Sequence, residues 1–250
     1  MLTIAHRGAS ALAPENTPAA FRAALRAGVD LIEMDLRLSR DGEVVVFHDR
    51  LLDRTTDGTG PVGERTLAEL KKLDAGSWFS PDFSGERIPV LGEVLKLAGP
   101  AGGGLYLELK IDRGEEKTRG DLVARTGEIL RNNPFPGRLL LASFDLPAVR
   151  MARGLLPAVR TGLIFREEAV WHRLEAGNLS GVDILAARWN IVTASRVEAG
   201  HRAGKEVWAW TVDRPEELGW LRAAGVDAVA SNNPIWLKRE LERSDTGDKG

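Results

Sequence analysis

Short apolar runs recur along the chain at 2–5, 31–36, 44–47, 105–109, 139–142, 160–165, 183–187, 206–211 and 227–230. Most are separated by Ala-, Leu-, Arg- and Glu-rich stretches with helical spacing, such as "PAAFRAALRAG" and "DLVARTGEIL". Brief apolar runs between amphipathic stretches predict buried strands alternating with helices, and so an α/β fold with a parallel sheet covered on both faces. One joint repeats: Gly28-Val29-Asp30 precedes "LIEMD", Gly181-Val182-Asp183 precedes "ILAAR", and Gly225-Val226-Asp227 precedes "AVASN". It reads as a helix ended by a left-handed glycine, a short loop and a buried strand. Its presence at both ends of the chain favours a closed (β/α)8 barrel of the TIM type over a doubly wound open sheet.

Nine runs are one more than a barrel needs. The extra one is Val44–Phe47, because "SRDGE" before it carries Asp41-Gly42, a strong hairpin signal. It should pair antiparallel with the upper end of the second strand and bring His48 over the barrel mouth. The turn-rich stretch of about 50–90 exceeds an ordinary connection. It is expected to be an insertion, helical at 66–73, that walls one side of the site. Residues 1–250 are expected to form one domain, with a frayed polar tail at about 242–250.

Composition narrows the function classes. Of 250 residues, 34 are basic and 36 acidic and the signs are mixed, which argues against a basic nucleic-acid or anionic-membrane binding surface. No apolar run approaches the roughly 18 residues of a membrane span. A first strand starting at Leu2 leaves no room for a secretory leader, so a cytoplasmic location is expected. With no cysteine, any metal must be held by oxygen or imidazole.

Side chains alternate along a strand, so Glu33, Asp35 and Arg37 share one face of "LIEMDLR" and Ile32, Met34 and Leu36 the other. In "LYLELK", Glu108 and Lys110 share a face opposite Leu107 and Leu109. If the charged faces point inward, three carboxylates meet at the mouth. At ~4 Å and an effective dielectric of about 20, each pair costs on the order of 4 kcal/mol. Either a structural ion-pair cluster with Arg7, Arg37 and Lys110 relieves this, or a hard divalent cation does.

Of the four histidines, His172 and His201 fall in helical stretches and read as surface or packing residues. His6 and His48 each end a strand-like run, where a barrel collects its chemistry. Arg7 and Lys110 beside them would make an anion site, with phosphate the obvious ligand. In "VWAWTVD", Trp208 and Trp210 are expected to divide, one ring toward the helices and one toward the mouth.

The chain resembles the glycerophosphodiester phosphodiesterases through seven ordered motifs. These are "HRG" at 6–8, "PENT" at 14–17, Glu33-x-Asp35, "DGEVVVFHD" at 41–49, "RTTDGTG" at 54–60, "ELK" at 108–110 and "WTVD" at 210–213. The resemblance implies a (β/α)8 barrel and a divalent cation, Mg²⁺ or Ca²⁺, held by Glu33, Asp35 and Glu108. It implies His6 and His48 as the acid–base pair, Arg7 and Lys110 as phosphate contacts, and Trp210 as an aromatic lid. Ser231-Asn232 stands where the family usually has Thr-Asp or Thr-Asn. Thr17 should cap the helix that begins at Pro18, Glu15 and Asn16 either reach the site or, the favoured role, hold the His6 loop, and Asp49 could orient His48.

The implied reaction is hydrolysis of a small-molecule glycerophosphodiester to an alcohol and glycerol 3-phosphate, by water or through a cyclic phosphate. Two other readings stand beside it. A lysophospholipid-acting phosphodiesterase would need an apolar entrance, for which Trp78, Phe79 and Phe83 are candidates. A polyol-phosphate binding protein on the same scaffold would be non-catalytic. The residues leave open the leaving alcohol, the oligomeric state and which histidine is the acid.

Overall fold

A computed structural model describes residues 1–175 and 177–245. Its strands are β1 (Leu2–Ala5), β2 (Leu31–Leu38), β3 (Val44–Val46), β4 (Gly104–Leu109), β5 (Leu139–Ser143), β6 (Arg160–Phe165), β7 (Ile184–Arg188), β8 (Glu206–Trp210) and β9 (Ala228–Ser231). Each matches one of the apolar runs. The neighbour order β1-β9-β8-β7-β6-β5-β4-β2, closed by β1 against β2, is an eight-stranded parallel barrel. β3 is antiparallel to the upper end of β2, pairing Leu36 with Val46, so the hairpin reading holds.

The surrounding helices are α1 (Pro18–Ala27), α3 (Leu91–Ala98), α4 (Arg119–Asn132), α5 (Leu146–Leu155), α6 (Ala169–Glu175), α7 (Ala194–Arg202), α8 (Pro215–Ala224) and α9 (Pro234–Asp245), with the short α2 (Leu67–Leu70) in the insertion. Strand alternation divides the apolar side chains into two cores. Ile32, Met34 and Leu36 of β2 pack outward with Phe21 of α1 and Leu91 and Val94 of α3. Ile4, Leu31, Tyr106, Ile164 and Trp208 fill the barrel interior. Burying each of these side chains contributes roughly 1.5–3 kcal/mol.

The repeated joint does two jobs. Gly28 (φ 65°) and Gly225 (φ 83°) are left-handed caps of α1 and α8. Gly181 has φ 79° but lies beyond the end of α6, so the capping reading fails there. The aspartate has the same role in all three copies. Asp30 accepts the amide of Thr3 in β1 at 2.8 Å, Asp183 that of Thr161 in β6 at 2.8 Å, and Asp227 that of Val207 in β8 at 2.7 Å. Each ties the start of the preceding parallel neighbour to the strand it introduces, at the barrel end opposite the mouth.

The insertion has its own apolar cluster, in which Leu52, Val62, Leu70, Ala75 and Ile88 pack on Val45 and Phe47. Its α-helix covers only Leu67–Leu70, begun by a capping box between Thr66 and Glu69. The polar tail is helical through Asp245, and residues 246–250 of the expected frayed segment lie outside the described residues. Among the described residues, no helix is long and apolar enough to cross a membrane.

Candidate active site

β1 delivers His6 and Arg7 to the mouth through a tight turn. Arg7 (φ 54°) and Gly8 (φ 78°) are both left-handed, which aims the Arg7 amide at Glu33 Oε2, 2.6 Å away. Gly8 is required twice over, since a Cβ there would stand 2.8 Å from Ala20 and the conformation disfavours side chains. Thr17 caps α1 as expected, accepting from the Ala20 amide at 3.3 Å.

β2 and β4 are in register with Asp35 opposite Glu108. Glu33, Asp35 and Glu108 each present a ligand oxygen within 4.8 Å of the other two, and all three are buried. Asp35 accepts from Asn16 Nδ2 at 2.7 Å and has Arg7 Nε and Lys110 Nζ each at 3.5 Å. Glu108 Oε1 meets Lys110 Nζ at 2.7 Å. Glu33 Oε1 is buried without a hydrogen-bond partner. Three carboxylates against two cations leave negative charge in a buried place, where an orphaned oxygen costs about 1–3 kcal/mol or more. An all-oxygen carboxylate donor set with a free oxygen fits a hard divalent cation. Arg37 does not help balance the trio. It is spent on Asp112 (2.8 Å) and on the backbone carbonyl of His48 (2.8 Å), so it steadies the hairpin instead.

Burial, with Asp35 and Glu108 close by, pushes the Glu33 carboxyl well above its ordinary range. Burial also raises Glu108, against the pull of Lys110. For Asp35, burial acts upward but is outweighed by Lys110, His48 and Arg7, so it stays ionised below the usual range.

The two imidazoles have different partners. His6 Nδ1 lies 2.7 Å from Asn232 Oδ1, and Asn232 Nδ2 donates to Asp213 Oδ2 at 2.5 Å. Burial, followed by the Arg7 charge, lowers His6 to about 4. His48 Nδ1 lies 2.6 Å from Asp49 Oδ1, which confirms the contact expected of that pair. His48 is also lowered, first by burial and then by Lys110 and Arg7, which outweigh the upward pull of Asp35 and Asp49. Arg54 bonds both Asp49 (2.5 Å) and Glu15 (2.7 Å), and Glu15 holds Arg7 (2.8 Å), so one ion-pair chain links the two histidine loops.

A cavity of about 990 Å³ opens here, lined by His6, Arg7, Glu33, His48, Glu108, Lys110 and Trp210. Asp35 sits just behind its wall. Three expectations need correction. Trp208 and Trp210 both face the barrel interior, because residues two apart on a strand share a face; Trp208 is deep, and Trp210 is at the mouth. Trp210 donates its indole N–H to the Ala186 carbonyl (2.9 Å) and meets Phe144 edge to face. Asn16 takes the other of its two expected roles, reaching the site, since it touches Asp35 directly. The insertion contributes only Arg50 to the lining, and none of Trp78, Phe79 and Phe83 reaches the cavity, so the apolar entrance expected of a lysophospholipid enzyme is not built from them. His172 is exposed on α6, and His201 on α7 binds Asp227 at 2.8 Å, both away from the site. Phe144 and the His6 contact of Asn232 had no signal in the sequence, and Asp213 was marked only as the end of "WTVD", because these groups come together only when the barrel closes.

Comparison with known proteins agrees with this geometry. The family model described as the glycerophosphoryl diester phosphodiesterase family matches residues 6–235. A putative glycerophosphodiester phosphodiesterase of Bacillus subtilis is 38% identical over 244 residues, covering 96% of this chain and 98% of that protein. A glycerophosphodiester phosphodiesterase of Caldanaerobacter subterraneus is 38% identical over 241 residues, covering 94% and 96%. A phosphodiesterase of Oleispira antarctica, solved with the product sn-glycerol-3-phosphate, superposes with a TM-score of 0.89 at 35% identity, covering 97% of each chain. The chain belongs to the glycerophosphoryl diester phosphodiesterase family.

Proposed function

We propose that this protein hydrolyses glycerophosphodiesters to an alcohol and glycerol 3-phosphate, with Mg²⁺ or Ca²⁺ held by Glu33, Asp35 and Glu108. The observation that carries this is the buried carboxylate trio, with its unpartnered Glu33 oxygen, set among two cations and two imidazoles. The product bound to the Oleispira relative supports the choice of substrate. A cation at the trio would supply Lewis acidity to a non-bridging phosphate oxygen.

The chain's own groups then divide the remaining work. The Arg7 guanidinium and Lys110 ammonium face the phosphoryl oxygens and stabilise the charge that grows on them. Trp210 and Phe144 wall the organic part of the substrate. Asp213 accepts from Ser231 Oγ, the Asn232 backbone N–H and Asn232 Nδ2, and Ser10 Oγ donates to Asn232 Oδ1, so the Asn232 amide is fixed with its oxygen toward His6. His6 Nδ1 must therefore carry the hydrogen, leaving the Nε2 lone pair to take a proton from the attacking oxygen. Asp49 holds His48 Nδ1, and Asp35 and Asp49 both pull its proton affinity upward against burial, Lys110 and Arg7, so of the two imidazoles His48 is assigned as the proton donor to the departing alcohol. The attacking oxygen is that of water, or the adjacent glycerol hydroxyl, whose cyclic phosphate water then opens; trapping of a cyclic product separates the two.

Enzyme-coupled detection of glycerol 3-phosphate from glycerophosphoethanolamine tests the proposal. Turnover should disappear in chelator and return with Mg²⁺ or Ca²⁺. Full turnover in chelator, or none on any glycerophosphodiester, would contradict it.

A further inference from the structure

The carboxylate trio, Arg7 and Lys110 occupy one end of the cavity. Its 990 Å³ lies at the top of the range of roughly 300–1,000 Å³ that holds drug-sized ligands, well beyond what glycerol phosphate fills. The rest opens between the loops after β4, β5 and β6, lined by Asp112, Arg113, Asp145, Arg166, Glu167 and Arg173, with Arg50 at the hairpin rim.

The acids in this outer part are already engaged. Asp112 is bound by Arg37 at 2.8 Å, Asp145 by two nitrogens of Arg119 at 2.6 and 2.7 Å, and Glu167 by Arg166 at 3.7 Å. Among the described residues, Arg50, Arg113 and Arg173 have no carboxylate at ion-pair distance. The uncompensated charge of the outer cavity is positive. The Phe144 ring is already covered by cations, with Arg166 and Lys110 over it at 5.4 and 5.8 Å, so it does not offer its face to a cationic alcohol.

We infer that the outer cavity selects a leaving alcohol that itself carries an anionic group, a phosphate or a carboxylate. This rests on the hydrolase reading above. The glycerol phosphate half is common to every substrate, and its charge is met at the inner end by Arg7 and Lys110. Only the alcohol varies, and only the alcohol reaches the arginine-lined rim. The arginines are exposed, so each contributes only a factor of roughly two to recognition, and salt screens them. Three acting together give about tenfold.

The test compares kcat/KM on four diesters of glycerol phosphate. Their alcohols are glycerol, glycerol bearing a terminal phosphate, glyceric acid, and choline. The expected result is about a tenfold advantage of the phosphate-bearing over the neutral diester at low ionic strength, shrinking severalfold in 1 M NaCl, with the choline diester below the neutral one. A gain shared by glyceric acid assigns the effect to charge alone, and a gain limited to the phosphate assigns it to phosphate recognition. Replacing Arg50, Arg113 and Arg173 together by Gln should bring the phosphate-to-neutral ratio to about one, while replacing them by Lys should keep most of it. A ratio of one or less in the wild type, or a ratio that survives the Gln variant, overturns the inference. Absence of turnover on all four diesters would overturn the hydrolase reading and the inference together.

Discussion

Replacing Glu33 with Gln removes one ionisable group from the trio and exposes how the carboxylates are strained without a cation. Two unit charges at 4.8 Å and an effective dielectric of about 20 repel by roughly 3–4 kcal/mol, and Glu33 faces both Asp35 and Glu108. Burial first, and this repulsion second, favour keeping the Glu33 proton in the folded protein, which is why its pKa is raised. The sign follows from linkage. A raised carboxyl pKa favours the fold below the unfolded value near 4.5, and that contribution is lost as pH rises toward the folded pKa, at up to about 1.4 kcal/mol per pH unit. The lowered histidines act the other way, gaining stability as pH rises through the window from about 4, the value for His6, to the ordinary 6.5. The difference between wild type and Glu33→Gln therefore isolates the carboxyl. Urea unfolding in chelator from pH 5 to 8 should show the variant gaining steadily on the wild type, and millimolar Mg²⁺ should reverse the order. Parallel pH profiles, together with no stabilisation of the wild type by cation, would refute the reasoning.

His6→Ala and His48→Ala should each cost about a hundredfold or more in kcat, read in the glycerol 3-phosphate assay. Asn232→Asp should give His6 a carboxylate partner and raise its pKa by about 1–3 units, so the acid limb of kcat/KM moves from near 4 toward neutrality; a fall in kcat with no shift of the limb would count against the tautomer argument. Gly8→Ala combines left-handed strain with a 2.8 Å clash against Ala20, costing about 3 kcal/mol and lowering Tm by roughly 6–12 °C in a scanning melt.

The barrel was legible because its strands are short apolar runs and its helices amphipathic, so each element announces its own period. The β2–β3 hairpin followed from Asp41-Gly42, and the inward face of Glu33, Asp35, Glu108 and Lys110 from alternation alone. Alternation also rules out the division expected of Trp208 and Trp210, which period two puts on one face. Contacts across closing loops were not legible. Asn232 reaches His6 across 226 residues, and Asn16 reaches Asp35 only because a left-handed backbone at Asn16 (φ 57°) turns its amide inward. Arg37 shares a face with Glu33 and Asp35 but stands higher on the strand, where loop acids capture it; period gives the face and not the depth. The insertion aromatics pack edge to face among themselves, away from the cavity, a placement set by its turns.

Crystals grown in chelator and soaked in millimolar Mn²⁺, with anomalous data collected above the manganese edge, test the central claim most directly. The account predicts one strong peak touching carboxylate oxygens of Glu33, Asp35 and Glu108. No peak there, or a peak only at surface acids, would contradict it.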